Sequence, residues 1–386
     1  MDLVPFVTFF VTGQGKRTFQ VEKLARIYDD EIAPCWGTRF GRLLLRNLAV
    51  PAHGQVLDVS CGTGFPTVEI LRRMTEGSRL IAIDESSAML DVVRRKVAKL
   101  GPLGDKAVFL RTESAVPKLS FADDVYDLVV CNLGVGDMPS IEVALGDFAR
   151  VAKPGGEVRC TLPLAGTFEE FHDLYREVLV KHDKHDALDR LDDHLARYPT
   201  FEHAERCLAA ANLAGGLEVE EFSLLFRSSR EFFFAPVIEY GPLAAWKAIA
   251  GGGQDMQDVF WHIKEAIDAY FAGGPFHVTV KAGCLIGRKP LGPAAGHRAG
   301  DAFAAEIVTA PVPLTAARAP HDGAPFDGRS PELGGGTARV EDTQDERVHE
   351  LMSGDISFDD LADDPVTEHE LDAFVDGKQR PHQLVE

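Results

Sequence analysis

The sequence predicts an α/β fold, a doubly wound, mostly parallel seven-stranded sheet with an antiparallel last strand. Three observations carry this. Short, continuously apolar runs alternate with helix-periodic segments; the first run ends in a glycine turn that opens a helix; and a second run ends in an acid, Asp84, 20 residues beyond Gly64. Continuous apolarity marks strands buried on both faces, as in parallel sheets covered by crossover helices.

Residues 20–48 have helical spacing on either side of Pro34, with Val21, Leu24, Ile27 and Tyr28 before it and Phe40, Leu43, Leu44 and Leu48 after it, and read as a two-helix lid. Residues 55–60 form a strand, the glycine turn follows, and Pro66 suits the first turn of the next helix. The unit then repeats, with a strand at 79–83 and a helix at 86–100 stopped by Gly101 and Pro102. Strands are expected at 107–110, 126–131 and 157–162, with a helix at 141–151 and a turn at 153–156. Residues 168–211 are helical, 217–226 a strand, and 231–271 helices broken at Gly251, Gly252 and Gly253. The last strand, 276–286, follows material too short for an ordinary crossover and is expected to run antiparallel.

The chain of 386 residues has room for one domain and appendages. Residues 290–336 are an Ala/Gly/Pro-rich linker, and residues 337–386 an acidic, mostly disordered tail. That tail holds 15 acidic and 4 basic residues, so it carries −11 of the formal −20. A protein partner for the tail is one reading of its sparse apolar residues, and plain solvation the other. An acidic body without a basic cluster argues against a nucleic-acid substrate. Six separated cysteines read as free thiols of a reducing compartment, and no run spans a bilayer, so a cytoplasmic location is expected.

The chemistry concentrates at the turn. A nucleotide-bearing ligand at a strand end needs a bend without side-chain bulk, which Gly62 and Gly64 supply, and a carboxylate for ribose hydroxyls, which Asp84 supplies. The same spacing serves a dinucleotide. Against that stand Thr67, where a third small residue is wanted, and Asp58, suited to the turn amides or, through water, to a cationic amino-acid group. An ordinary tight turn, and a helix cap at Asp84, are the plainer readings.

The stretch VLDVSCGTG at 56–64 resembles the first motif of class I S-adenosylmethionine-dependent methyltransferases. AIDESSAML at 82–90 is similar to the second, where the acid binds ribose and the residues after it flank adenine. Glu113 and Ser114 resemble the pair that meets the adenine amino group, YDLVVCN at 126–132 the fourth strand, and RVAKPGG at 150–156 the turn before the fifth. Through CNLGVGDMP at 131–139 the chain looks like the branch of quinone-ring and malonyl-carrier-protein methyltransferases.

The resemblance implies S-adenosylmethionine as cofactor, held by Asp58, Ser60, Cys61, Gly62, Gly64, Asp84, Glu85, Met89, Glu113, Ser114 and Asn132, and a small-molecule or carrier-bound methyl acceptor. It divides the chain into a lid (1–50), a Rossmann-like core (51–162) and helical acceptor-side insertions with the last strands (163–289). Ser60 departs from a usual glycine, Glu113 from a usual Asp, and a two-residue extension follows Glu113.

Asn132 reads equally as a loop cap, Glu113 as a solvated carboxylate, and Cys131 as a buried inert thiol. His172 and Tyr175 are general-base candidates by position alone. The histidines between 172 and 203 lack tight ligand spacing, so no metal is expected. Phe232, Phe233, Phe234, Tyr240, Trp246 and Trp261 either line an apolar acceptor pocket or pack a core. A non-catalytic interaction protein on the same scaffold, with the tail as its working part, is the competing reading.

Overall fold

The computed structural model describes residues 17–101, 108–272 and 274–291, with side chains from residue 21 onward. The N-terminal apolar run, most of the linker and the acidic tail lie outside the described residues.

Seven strands form one sheet: β1 (Gln55–Val59), β2 (Arg79–Asp84), β3 (Val108–Thr112), β4 (Tyr126–Asn132), β5 (Ala152–Pro163), β6 (Ala214–Phe226) and β7 (Phe276–Arg288). Their order is β3-β2-β1-β4-β5-β7-β6. The first five are parallel, and β7 runs antiparallel between β5 and β6. Strand order reverses between β1 and β4, and a ligand crevice forms at the carboxyl ends flanking such a point.

Alternation along the central strands feeds two cores. Val56, Leu128 and Val130 join the cluster beneath α2 (Gly37–Leu44), α3 (Phe65–Arg73) and α4 (Ser87–Ala98). Leu57, Val59, Val129 and Cys131 face α5 (Ile141–Val151) on the other side. The first cluster continues into a helical cap of α6 (Glu169–Lys181), α7 (His185–Leu195), α9 (Ser229–Phe234), α10 (Pro236–Glu239), α11 (Leu243–Ala250) and α12 (Gly253–Tyr270), while α8 (Phe201–Ala210) packs with α5. Hydroxyl caps start four helices: Ser86, Ser140, Thr200 and Ser228 accept from the third residue on, at 3.1 to 3.3 Å.

The expected turn at 153–156 is instead the bulged start of β5. Gly155 has φ +82° and donates to the carbonyl of Lys289, and a Cβ at Gly156 would stand 2.9 Å from the Tyr126 carbonyl. The pair lets β5 kink where its register to β4 shifts. This is the amino end of β5, away from the crevice, so Gly156 serves the sheet.

Candidate active site: the bend after the first strand

The lid lies over the bend. α1 (Arg17–Ile27) packs on α4 through Ala25, Ala88, Met89 and Val92, with Tyr28 against them. It runs into a single π turn, Tyr28–Ile32, in which Ala33 donates to the Tyr28 carbonyl at 2.7 Å. Such turns often mark functional sites because they re-aim a side chain. Here the ring of Tyr28 stands over Gly62, 3.8 Å from where a Cβ would sit. Lys96 of α4 pairs with Asp29 and donates to the Thr63 carbonyl, tying lid to bend.

Asp84 organises the bend. One carboxylate oxygen accepts from the amide of Gly62 at 2.8 Å and the other from that of Ser86 at 2.9 Å. Ser86, not Asp84, caps α4. Each carboxylate oxygen has two lone pairs, so each has one left for a ribose hydroxyl. Burial raises the Asp84 pKa, the two amide bonds oppose this, and neighbouring Glu85 adds to it.

Asp58 is fully buried at the end of β1. Thr67 of α3 donates to one of its oxygens at 2.5 Å, and the other meets no partner among the described residues. Asp58 therefore does not hold the turn amides, which turn instead to Asp84 and to the Ile83 and Cys61 carbonyls. Burial pushes its pKa up to about 7, the Thr67 hydroxyl opposing and Asp84 adding.

Ser60 adopts φ +54°, a conformation that favours glycine. Its room comes from a glycine elsewhere: a Cβ on Gly134 would lie 2.3 Å from that of Ser60. Gly62 (φ +55°) and Gly64 (φ +85°) complete the bend, and Gly64 is pressed against Val93.

Other expected contacts are divided. Ser114 donates to Glu85 beside Asp84, and Met89 is buried under the lid. Glu113 is engaged by the guanidinium of Arg111 at 2.8 Å and accepts from the Ser120 amide at 3.3 Å. Asn132 holds the lid: its amide nitrogen donates to the Gly37 carbonyl at 2.9 Å, and its oxygen accepts from Thr161 at 2.8 Å. Cys61 and Cys131 are buried, with burial raising both thiol pKa values, so neither is a nucleophile.

The general-base candidates are buried in the helical cap. Tyr175 donates to the Trp246 carbonyl at 2.8 Å, and burial raises its pKa. His172 is buried among Phe168, Phe171 and Trp246, and burial drives its pKa down to about 3, with His194 and Arg176 adding to the shift. The aromatic run is chiefly core: Phe232, Phe233 and Trp246 are fully buried, Phe234 and Tyr240 pack against them in part, and Trp261 lies exposed.

Charge decides between the two ligands that fit this spacing. Burial raises the pKa of Tyr28, and the charges of Asp84, Asp137 and Asp29 raise it further, so the potential at its hydroxyl is negative. Lys96, which reaches the Thr63 carbonyl of the bend, is paired with Asp29. A pyrophosphate would meet carboxylates, whereas a sulfonium and an ammonium are attracted by them. With the partnerless oxygen of Asp58 and the bulk-free Gly62, the residues fit an adenosyl sulfonium.

A family profile described as a methyltransferase domain matches residues 56–156. Residues 56–156 are thus a methyltransferase domain. Among curated relatives, the demethylmenaquinone methyltransferase of Staphylococcus aureus is 30% identical over 170 residues, 42% of this chain and 66% of that protein. The chain thus matches just under two thirds of that relative's length. Among solved structures, the YcgJ protein of Bacillus subtilis covers 66% of this chain with 100% of its own, at 17% identity and a TM-score of 0.44. A Bacillus halodurans protein covers 65% with 98% of its own, at 17% identity and a TM-score of 0.45. Within the methyltransferase domain lie Asp58, Asp84 and both bend glycines; the lid residue Tyr28 precedes it.

Sequence reasoning placed Tyr28 and Trp36 in the lid, lining a pocket over the donor or packing a core, and the structure sets the Tyr28 ring over Gly62 and buries Trp36 in the core. Sequence reasoning missed His203 and Cys207, whose i, i+4 spacing on a helix is a legible pairing signal. Among the described residues no helix is long and apolar enough to cross a membrane, and all six cysteines are unpaired.

Proposed function

We propose that this chain transfers a methyl group from S-adenosylmethionine, bound at the carboxyl ends of β1 and β2, to a small organic acceptor by in-line displacement. The carrying observation is Asp84, whose two oxygens each accept one backbone amide and have capacity for one bond more. In this reading Asp84 takes the ribose hydroxyls, Glu85, Met89 and Ser114 border the adenine, and Asp58 with the carboxylates around Tyr28 favours the donor's positive charge. Ser60, Cys61, Gly62 and Gly64 shape the cradle, and Asn132 acts by holding the lid. Glu113 contributes through Arg111 and Ser120 rather than by free approach. The division into lid (1–50), donor core (51–162) and acceptor side (163–289) belongs to the same proposal.

The donor, when bound, supplies a methyl group already activated on sulfur. What remains for the chain is alignment and dryness, and alignment alone can supply ~7 to 11 kcal/mol. Tyr28 and the Asn132-anchored lid exclude water from the bend. Tyr28 keeps its proton, because burial and three carboxylates oppose ionisation, and so acts as a hydrogen-bond donor. With His172 buried in the aromatic cap and Tyr175 bonded to the Trp246 carbonyl, an acceptor carrying its own acidic proton suits the site. A reduced quinone ring is such an acceptor, and the name of the Staphylococcus aureus relative makes it the first to try.

Titration calorimetry with S-adenosylmethionine, its demethylated product and NAD tests the donor. Binding of the first two without the third is expected; tight NAD binding with no heat from the others overturns the reading. Isotopically labelled donor, offered with a demethylated quinol or a carrier-bound thioester, then separates the acceptor classes by which one gains label.

A further inference from the structure

Away from the bend, Glu142, His203 and Cys207 each bring one ligand atom to a common point between α5 and α8. The Cys207 sulfur lies 3.3 Å from Oε1 of Glu142 and 3.6 Å from Nε2 of His203. That nitrogen lies 3.5 Å from the same carboxylate oxygen. A tetrahedral zinc ion with Zn–S about 2.3 Å, and Zn–N and Zn–O about 2.0 to 2.1 Å, holds such atoms about 3.3 to 3.6 Å apart. The triangle has the size a shared central ion imposes.

Direct pairing accounts for it less well. An N–H···O bond prefers about 2.7 to 3.2 Å, so the histidine–glutamate edge is too long for one, and both other edges end on sulfur, a weak partner. The local sequence explains the placement. Thr200 caps α8 through the His203 amide, and one turn carries the chain from His203 to Cys207 on the same face. Ser140 caps α5 and leaves Glu142 in its first turn. Cys207 is buried, His203 half-buried and Glu142 exposed, so a fourth position opens toward solvent.

We propose that Cys207 Sγ, His203 Nε2 and Glu142 Oε1 bind a zinc(II) ion, with water as the fourth ligand, clamping α5 to α8. Mixed thiolate, imidazole and carboxylate donors suit zinc rather than magnesium or calcium, which take oxygen ligands. On binding, the Cys207 S–H proton leaves to solvent as the Zn–S bond forms, with no change in oxidation state.

The test uses the untagged full chain loaded with zinc(II), dialysed against metal-free buffer and assayed for metal content, with cobalt(II) as a spectroscopic substitute. One zinc per chain is expected, with intense tetrahedral cobalt bands and a near-ultraviolet thiolate-to-cobalt transition. Cys207→Ser is expected to abolish that transition, and His203→Ala and Glu142→Gln to weaken zinc binding at least tenfold. Glu142 is exposed, so metal-free Glu142→Gln is expected to melt like the metal-free parent, which keeps the test independent of folding. His262→Ala, in the stacked His182–His262 pair, is expected to change nothing. Loss of zinc in that variant, an unaltered cobalt spectrum in Cys207→Ser, or no metal retained by the parent would each overturn the proposal.

Discussion

The bend after β1 and the interior of the helical cap both bury polar groups, but they treat them differently. At the bend, Asp58 and Asp84 each hold local hydrogen bonds made within a few residues of the motif or across one strand, and keep capacity for a ligand. In the cap, four residues gather with ring centroids 5.7 to 6.4 Å apart around His172: His194, Tyr198 and Trp246 complete the group. His172 Nε2, His194 Nε2, the Tyr198 hydroxyl and Trp246 Nε1 are buried, and none meets a partner among the described residues. Burial lowers the His194 pKa to about 4, as it lowers that of His172 to about 3, so both rings are neutral near pH 7. The bend is a carboxylate-bearing turn held by two short stretches of sequence; the cap is an aromatic core with polar atoms embedded in it.

The largest effect expected from this contrast is at Asp84. Asp84→Ala removes the acceptor for two backbone amides and both free lone pairs, and donor affinity is expected to fall at least about 100-fold, the equivalent of about 2.7 kcal/mol. Titration calorimetry against a Tyr175→Phe control checks it, because Tyr175 bonds only to a cap carbonyl and should leave donor affinity unaltered. Equal losses in both variants would erase the distinction between the regions.

A second effect tests how the bend tolerates Ser60. Gly134→Ala places a methyl 2.3 Å from the Ser60 Cβ, and is expected to destabilise by about 1 to 3 kcal/mol, the usual range for overpacking. Ser60→Gly relieves φ +54° and clears the space, so the double variant should recover most of that loss. Denaturant melts of the four species give the coupling. Additive losses would mean that Gly134 answers to Cys131, whose sulfur is 3.0 Å from the same point, and not to Ser60.

How far the sequence discloses each region follows from the range of its contacts. The strand-helix steps from β1, β2 and β4 were legible because each joins a continuous apolar run to a helix-periodic segment. So was the bend, because residues 58–67 and 84–86 supply nearly all its bonds. Three things were not. Lys289 closes the β5 bulge from across the sheet, which turned an apparent 153–156 turn into strand. The aromatic run reads alike as pocket or core until Phe171, Phe232 and Trp246 are seen stacked together. Cys207 meets Glu142 from 65 residues away, a pairing no local pattern encodes.

Proton linkage gives a third, smaller effect. Asp58 titrates at about 7 in the fold against an ordinary 3.8, so the stability it contributes is present below 3.8 and is lost as pH rises through 7. A cationic donor favours the ionised form. Donor affinity is therefore expected to fall as pH drops from 8 to 6, by up to about tenfold per unit at the steepest. Asp58→Asn should flatten that profile, whereas His172→Gln should leave it intact, because a group titrating near 3 is already neutral throughout the window. A profile that flattens with His172→Gln would put the linked proton in the cap.

The smallest effect separates the two kinds of burial most directly. Where a buried hydroxyl has no partner, removing it recovers a desolvation cost; where it has one, removing it strands the partner. Tyr198→Phe is therefore expected to leave stability unchanged or raise it by up to about 1 kcal/mol. Thr67→Val, isosteric but stripping Asp58 of its donor, is expected to lower stability by about 1 to 3 kcal/mol above pH 7, where the carboxylate is ionised. At pH 5 the loss should shrink, because a protonated Asp58 has less to lose. Thermal melts of both variants at the two pH values decide it, and a Tyr198→Phe protein that melts well below the parent would show the cap hydroxyl to be satisfied by bound water, making the cap a second polar receptor rather than a core.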